Sequence, residues 1–162
     1  MSQGDEAIVL CVSSALSGTY QSAVIAAEEY AGKVFVVNSE SVCIGEQILI
    51  LRGLELAKAG ASAEEIAAQL ESEKSKMRVM ALLDTLEYLK KGGRISAATA
   101  LAGSLLSIKP VVALEGGAIS LIGKARGSRQ GNNLLRQLVE KCGGIDFDRP
   151  FCVAYSGLTD TM

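Results

Sequence analysis

A turn rich in hydroxyl groups and glycine, residues 13–20 (SSALSGTY), carries the side chains best suited to binding chemistry. It follows an apolar run at residues 7–12 and precedes a helical pattern over residues 21–30. The first N–H groups of a helix have no partner within it, and the helix dipole places partial positive charge there. Serine and threonine hydroxyls add side-chain donors, and glycine lets the backbone approach a ligand closely. The turn can therefore hold a carboxylate or a phosphate.

The same pattern is also typical of an ordinary strand–turn–helix connection in which Ser17 or Thr19 caps the helix. Taken alone, the pattern favours this structural role. The sequence contains no histidine, so a Ser-His-Asp or Cys-His nucleophile cannot form within the chain. No lysine or carboxylate is placed beside the serines to act as a base instead. We therefore expect these serines to bind a ligand and not to attack one.

Composition narrows the class of protein. The chain has 162 residues, of which 49% are hydrophobic, and this suits one soluble domain or parts of two. The net charge of −2, without a long basic stretch, argues against a nucleic-acid or anionic-membrane partner. No apolar run is long enough to span a membrane, and the N-terminus lacks the features of a secretion signal. We expect a cytoplasmic protein.

The four cysteines are far apart in the sequence, at positions 11, 43, 142 and 152. Cys11 and Cys152 stand within apolar runs, so buried free thiols are expected in place of a disulfide framework. No two cysteines have metal-ligand spacing. The sequence therefore predicts neither a metal site nor a cofactor.

Periodicity and turn residues predict alternating strands and helices in the first half, and strands joined by a hairpin in the second. Ser62 and Glu65 are spaced as a helix capping box, and Gly116 and Gly117 as a hairpin turn. The predicted strands are residues 7–12, 33–38, 78–83, 111–114, 118–122 and 151–155. The predicted helices are residues 21–30, 45–58, a helix starting after Ser62, and residues 85–91, 96–106 and 128–142.

Two basic turns precede predicted helices in the second half. The first contains Gly92, Gly93 and Arg94, and the second is the segment KARGSR at residues 124–129. Arginine can bind a carboxylate or a phosphate through two parallel hydrogen bonds. A solvated loop is the alternative for each turn. For Arg94 and Arg126 both interpretations remain open, whereas Lys90, Lys91 and Arg129 fit the solvated loop.

Together these segments resemble the DegV family of bacterial fatty-acid-binding proteins, the acyl-carrying subunits of fatty acid kinase. The matching segments occur in the family's order and spacing. They are SSALSGTYQSA (13–23), LEYLKKGGRIS (86–96), LLSIKP (105–110) and KARG (124–127). The resemblance implies an α/β protein with two domains. Residues 1–92 would form a partial Rossmann-like domain with a parallel sheet, and residues 93–162 a partial α+β domain with a β-hairpin.

The resemblance also implies a function and a site. A long-chain fatty acid would lie in an apolar tunnel with its carboxylate on the serine turn. Ser14 matches the family's binding serine best and Ser13 second best, with Ser17, Gly18 and Thr19 beside them. Such a protein is not an enzyme, because it presents the carboxylate to a separate fatty acid kinase that forms an acyl phosphate for phospholipid synthesis. Arg94 and Arg126 would then face the kinase or the phosphate.

The sequence departs from the family in three places. The family's Thr-Asp-Ser-type motif and Thr-Ser-Gln-Pro-like loop are absent before Ala7, and Asn38 and Ser39 stand where Asp-Ser is usual. The sequence also stops soon after residues 151–155, where family members continue. We therefore expect a fragment lacking both ends, in which exposed sheet edges favour a homo-oligomer and fatty-acid binding is weakened.

Two other functions remain open. One is an enzyme or binder that acts on a small phosphorylated ligand at the serine turn. The other is an interaction module whose basic turns bind an acidic partner, with an affinity that falls as salt is added.

Overall fold

The computed structural model describes residues 4–96 and 107–156, which form two sheets with helices packed against them. The strands are β1 (Ala7–Cys11), β2 (Val34–Asn38), β3 (Met80–Leu82), β4 (Ile108–Glu115) and β5 (Ala118–Arg126). The α-helices are α1 (Thr19–Ala27), α2 (Ile44–Lys58), α3 (Ala63–Glu73), α4 (Glu87–Lys91) and α5 (Gly127–Lys141). Short 3-10 turns, Glu28–Tyr30 and Lys74–Lys76, extend α1 and α3.

The first sheet is parallel and joins β1 to β2, with Cys11 opposite Asn38 at its carboxyl edge. Its core contains Val37 from β2, Leu49 from α2, and two residues of α3, Ile66 and Leu70. Burial of these side chains fixes both helices against the sheet. We call β1, β2 and α1–α3 the parallel unit.

Helix α3 begins as the sequence predicts. The Ser62 N–H donates to Glu65 Oε2 over 2.9 Å, and the Glu65 N–H donates to Ser62 Oγ over 3.3 Å. The Ser62 N–H and hydroxyl both favour the charged carboxylate, so they lower the pKa of Glu65. The capping box is confirmed.

The second sheet is antiparallel, with β4 between β3 and β5. The tight turn between β4 and β5 contains Gly116 and Gly117, at φ 57° and φ 79°, so the predicted hairpin is confirmed. Helix α5 packs on this sheet so closely that a Cβ on Gly131 would lie 2.7 Å from a methyl carbon of Leu82. A second core cluster contains Leu86, Ile95 and Val112. We call β3–β5, α4 and α5 the antiparallel unit.

The predicted α/β fold class is confirmed, with a parallel sheet first and an antiparallel sheet with a hairpin after it. Strand β3 precedes residue 92 in the chain but pairs with β4, which follows it. The division into residues 1–92 and 93–162 stays a prediction.

Several local predictions were wrong. Residues 151–155 form no strand, and Phe151 and Val153 are 53% and 83% exposed. An apolar run forms a strand only where a neighbouring strand satisfies its backbone groups, and none of the described strands pairs with this run. Cys152 in this run is only partly buried, whereas Cys11 is buried, and all four cysteines are free thiols.

The second basic turn and the cap of α1 also differ from expectation. Lys124 and Arg126 lie within β5, which continues to the start of α5 because β4 offers backbone partners over this length. Gly18 holds the N-cap position of α1 and has no side chain with which to cap it, and the Ser17 hydroxyl accepts from the first helical N–H, that of Thr19. The predicted helix over residues 96–106 lies outside the described residues from residue 97 onward. Among the residues that are described, no helix is both long and apolar enough to cross a membrane.

Candidate functional site

The serine turn lies at the carboxyl edge of the parallel sheet, beside the loop that follows β2. The Ser13 N–H donates to Ser41 O over 2.8 Å, and the Ser39 N–H donates to Cys11 O over 3.0 Å. These two bonds hold the loops side by side where both parallel strands end. Such an edge is where open α/β sheets place their ligands.

Ser13 is buried, with 1% of its surface exposed. Its hydroxyl donates to Gly117 O over 2.7 Å and accepts from the Ala15 N–H over 3.2 Å. The hydroxyl proton is therefore already used. A Cβ on Gly117 would lie 2.4 Å from Ser13 Oγ, so this contact requires glycine in the hairpin.

Ser14 is exposed and pairs with Asn38 through two hydrogen bonds. The Ser14 N–H donates to Asn38 Oδ1 over 3.1 Å, and Asn38 Nδ2 donates to Ser14 Oγ over 2.9 Å. Among residues 4–96 and 107–156, no acceptor takes the proton of the Ser14 hydroxyl. That hydroxyl can therefore donate to a ligand.

Ser17, Gly18 and Thr19 follow at the start of α1. The Ser17 and Thr19 hydroxyls are 2.7 Å apart, and one donates to the other. One proton of this pair therefore remains available to a ligand. Gly18 is exposed, and no heavy atom would lie within 4 Å of a Cβ placed there.

Arg94 reaches the serine turn from the end of α4. Its Nε donates to Leu16 O over 3.1 Å, and its Nη1 donates to Gly92 O. The fold thus brings the first predicted arginine to the predicted turn. Within the described residues, Nη2 of this exposed side chain remains as a further donor.

Arg126 lies at the end of β5, opposite Ile108 in the antiparallel sheet, and is exposed. In the described part of the chain, no hydrogen bond links it to the serine turn or to Arg94. Its predicted role facing a kinase stays a prediction.

A charged group supports the loop after β2. Lys74 Nζ lies 2.5 Å from Glu71 Oε2 and 3.1 Å from Glu40 Oε1, and it donates to Asn38 O over 3.1 Å. Burial opposes the ammonium charge, but the bonds to both carboxylates outweigh it and raise the pKa of Lys74. The loop is thereby tied to the end of α3.

The cavity beside this loop has a volume of about 240 Å³, and its lining mixes the charged residues Glu40, Lys74 and Arg78 with the apolar residues Met77, Val79 and Leu114. The apolar tunnel stays a prediction. No cluster of His, Cys, Asp or Glu able to hold a metal occurs among the described residues.

A protein-family model described as "Uncharacterised protein, DegV family" matches residues 1–150. This chain belongs to the DegV family. Among curated proteins, it is similar to a DegV domain-containing protein of Deinococcus radiodurans, 38% identical over 130 residues that cover 80% of this chain and 46% of that one. A DegV domain-containing protein of Clostridium perfringens is 38% identical over 145 residues, which cover 86% of this chain and 50% of the relative. The chain spans about half the length of these DegV relatives.

Solved DegV structures share the fold. One from Thermus thermophilus, described as fatty acid binding, has a TM-score of 0.76 at 37% identity and covers 85% of this chain and 49% of that one. A DegV protein from Eubacterium eligens loaded with heptadecanoic acid has a TM-score of 0.76 at 28% identity, over 87% and 53% of the two chains. The Fatty Acid Kinase (Fak) B3 protein of Streptococcus pneumoniae loaded with linoleic acid has a TM-score of 0.76 at 26% identity, over 84% and 50%.

Sequence reasoning missed one residue of this candidate site. Asn38 was noted only as a departure from the family's usual pattern, yet its side chain holds both the backbone and the hydroxyl of Ser14. A signal was present, because Asn38 ends the predicted strand over residues 33–38. The carboxyl ends of neighbouring parallel strands lie at one edge, but the pairing of these two strands could not be read from the sequence.

Proposed function

We propose that the DegV protein carrying this chain binds a long-chain fatty acid and that the Ser14 hydroxyl donates a hydrogen bond to its carboxylate. The supporting observation is the available proton of the exposed Ser14 hydroxyl at the carboxyl edge of β1. The same fold occurs in DegV proteins described as fatty acid binding or loaded with a fatty acid. A hydrogen bond to a charged carboxylate is stronger than one between neutral groups.

The rest of the serine turn supports a negative charge. The Ser17 and Thr19 hydroxyls retain one proton between them, and the N-terminus of α1 adds partial positive charge. Ser13 has a structural role, because its bond to Gly117 O holds the turn against the hairpin. Binding of this kind requires no catalytic group, so the protein is a carrier and not an enzyme.

The proposal includes a cytoplasmic partner, a separate fatty acid kinase that forms the acyl phosphate for phospholipid synthesis. Two facts support it. One relative of similar fold is itself a Fatty Acid Kinase B3 protein, and the exposed Arg94 side chain reaches the serine turn, bonded to Leu16 O. A guanidinium in that position stabilises the charge that develops on a transferred phosphate. Arg126 is proposed to contact the same partner.

Fatty-acid binding is tested by a ligand census. The protein is purified, extracted with organic solvent, and analysed by mass spectrometry, and the delipidated protein is then titrated with palmitate and with a small phosphorylated compound. We expect a long-chain fatty acid in the extract and saturable binding of palmitate that the phosphorylated compound does not displace. An extract without fatty acid, together with tight binding of the phosphorylated compound, would favour the alternative ligand.

The kinase role is tested with Arg94→Ala, using Lys90→Ala as the control because Lys90 is an exposed charge on the neighbouring helix. We expect Arg94→Ala to lower acyl-phosphate formation by an added fatty acid kinase by about tenfold or more, on the scale of a lost charge-assisted contact. Lys90→Ala should leave the rate unchanged. Equal rates for both variants would remove Arg94 from the proposal.

A further inference from the structure

Lys74 binds the loop after β2 through a mostly buried ammonium group. It is the first residue of the 3-10 turn that follows α3, and its side chain is 12% exposed. An ammonium group has three protons to donate, and three acceptors lie around it: Asn38 O, Glu40 Oε1 and Glu71 Oε2. Since each proton has an acceptor among the described residues, Lys74 has none left for a ligand. Any effect of Lys74 on the site therefore passes through these partners.

Two of the three acceptors belong to the loop after β2 and lie close together in the chain. Lys74 Nζ is 3.1 Å from both Asn38 O and Glu40 Oε1, so one group binds both ends of this short segment. Glu40 has φ 49°, a left-handed conformation that is uncommon for a residue with a side chain. The third acceptor, Glu71, is on α3, which the buried side chain of Leu70 anchors in the core. Lys74 thus ties an unusual loop conformation to an anchored helix.

The segment that Lys74 binds also holds Ser14. Asn38 Oδ1 accepts the N–H of Ser14 over 3.1 Å and the N–H of Glu40 over 3.2 Å. The position of the Ser14 backbone therefore depends on where Asn38 and Glu40 lie, and the direction of the Ser14 side chain follows from its backbone. A continuous chain of contacts runs from α3 through Lys74 and Asn38 to Ser14.

We infer that Lys74 is a positioning residue, which holds the loop after β2 so that Ser14 meets an anionic head group in one fixed place. The inference rests on the proposed function for the identity of that head group, a carboxylate. Stability alone does not explain the lysine, since an apolar side chain of similar length could fill the site without needing acceptors. The Glu40 and Glu71 side chains are 39% and 44% exposed, so both carboxylates would stay hydrated without the ammonium. Lys74→Met should therefore keep the fold and release the loop.

The first test is the dissociation constant for palmitate in Lys74→Met, measured on delipidated protein. We expect binding about fivefold weaker, because a loosely held Ser14 loses part of its hydrogen bond to the carboxylate. Arg52→Met is the matched control, since Arg52 also pairs with an acidic residue at the end of α3, Glu73, but has no ion pair with the loop after β2. It should bind palmitate as the unchanged protein does. Equal affinity in Lys74→Met and Arg52→Met would overturn the inference.

A double variant tests whether Lys74 acts through Ser14. When Lys74→Met is combined with Ser14→Ala, it should cause no further loss of palmitate affinity relative to Ser14→Ala. An equal loss with and without the Ser14 hydroxyl would overturn the inference, because Lys74 would then act on binding by another route.

A second measurement needs no ligand. Exchange of the Ser14 amide proton with solvent reports how often its bond to Asn38 Oδ1 opens. NMR should show exchange at Ser14 about fivefold faster in Lys74→Met, the scale of one weakened hydrogen bond, and unchanged in Arg52→Met. Neither substitution is next to Ser14 in the sequence, so the intrinsic exchange rate stays the same. An unchanged rate in Lys74→Met would overturn the inference.

Glu40→Ala keeps the inference testable if Lys74→Met fails to fold. Glu40 is partly exposed, and its truncation removes one of the two contacts between Lys74 and the loop. Exchange at Ser14 should speed up in this variant too, and an unchanged rate would overturn the inference. If the unchanged protein binds no palmitate, the proposed function fails for this chain, and amide exchange still decides the role of Lys74.

Discussion

The parallel and antiparallel units differ in where their strands end. In the parallel unit, β1 and β2 both end at one edge, where Asn38 at the end of β2 bonds to Ser14 in the loop after β1. In the antiparallel unit, β4 returns directly into β5 through Gly116 and Gly117. The parallel arrangement leaves free loops for ligand chemistry, whereas the hairpin uses its turn to reverse the chain.

The antiparallel unit nevertheless contributes to the site. Its hairpin supplies the carbonyl of Gly117 to the buried Ser13 hydroxyl, and the turn after α4 supplies Arg94 to Leu16 O. Both contacts join the antiparallel unit to the serine turn. In the proposed function, the parallel unit supplies the Ser14 donor, whereas the antiparallel unit supports the serine turn through Gly117 and supplies Arg94.

The largest expected effect comes from truncating the core of each unit. Leu70→Ala removes a side chain that is 2% exposed in the parallel unit, and Leu86→Ala removes one that is 4% exposed in the antiparallel unit. Each should lower the free energy of unfolding by about 3 kcal/mol, measured by urea denaturation. If each unit needs the other to stay folded, the whole chain unfolds in one urea transition, and both variants shift that transition. Two separate transitions would contradict that dependence.

The hairpin contact gives the next largest effect. Gly117→Ala forces a Cβ against Ser13 Oγ at positive φ, and we expect a loss of about 2–3 kcal/mol in the free energy of unfolding. Gly116→Ala is the matched control, since it has positive φ but no atom within 4 Å of a new Cβ. It should cost about 1 kcal/mol. Equal losses of unfolding free energy in the two variants would show that the close contact between Gly117 and Ser13 does not contribute to stability.

These contacts show which parts of the molecule the sequence could predict. The capping box of Ser62 and Glu65 and the hairpin at Gly116 and Gly117 were predicted correctly, because neighbours within a few residues determine them. The strand over residues 151–155 was wrong, because β structure depends on a distant partner.

The candidate site likewise contains features set by nearby residues and contacts between residues far apart in the sequence. The serine turn could be recognised from its own residues, and Arg94 from the matching family segment LEYLKKGGRIS (86–96) that contains it. The Ser14–Asn38 pair joins residues 24 positions apart, and the Ser13–Gly117 bond joins residues 104 positions apart. Only the folded chain shows that one serine is exposed with an available proton while its neighbour is buried.

The smallest expected effect concerns how the free energy of unfolding depends on pH. Arg52 Nε lies 3.1 Å from Glu73 Oε2 in the parallel unit, and this bond lowers the pKa of Glu73. The folded state therefore binds the proton more weakly than the unfolded state, so the stabilisation is present above the ordinary carboxyl pKa and is lost as pH falls through the lowered value. Glu73→Gln should remove less than about 1 kcal/mol at neutral pH and flatten this dependence.

The matched variant in the antiparallel unit is Asp84→Asn. Asp84 Oδ1 lies 2.5 Å from Lys109 Nζ, but the Asp84 side chain is 87% exposed. We expect a smaller change in the free energy of unfolding than for Glu73→Gln, measured by urea denaturation at neutral and acidic pH. A larger change for Asp84→Asn would reverse this ranking of the two ion pairs.

The central claim, that Ser14 receives a fatty-acid carboxylate, is tested most directly by the dissociation constant for palmitate in Ser14→Ala. Ser72→Ala is the control, because Ser72 is an exposed serine on α3 whose hydroxyl donates only to Gln69 O. We predict binding weaker by roughly 10–100-fold for Ser14→Ala, the scale of one hydrogen bond to a charged group, with the free energy of unfolding lowered by no more than about 1 kcal/mol through loss of the bond from Asn38 Nδ2. Affinity equal to that of Ser72→Ala would contradict the account.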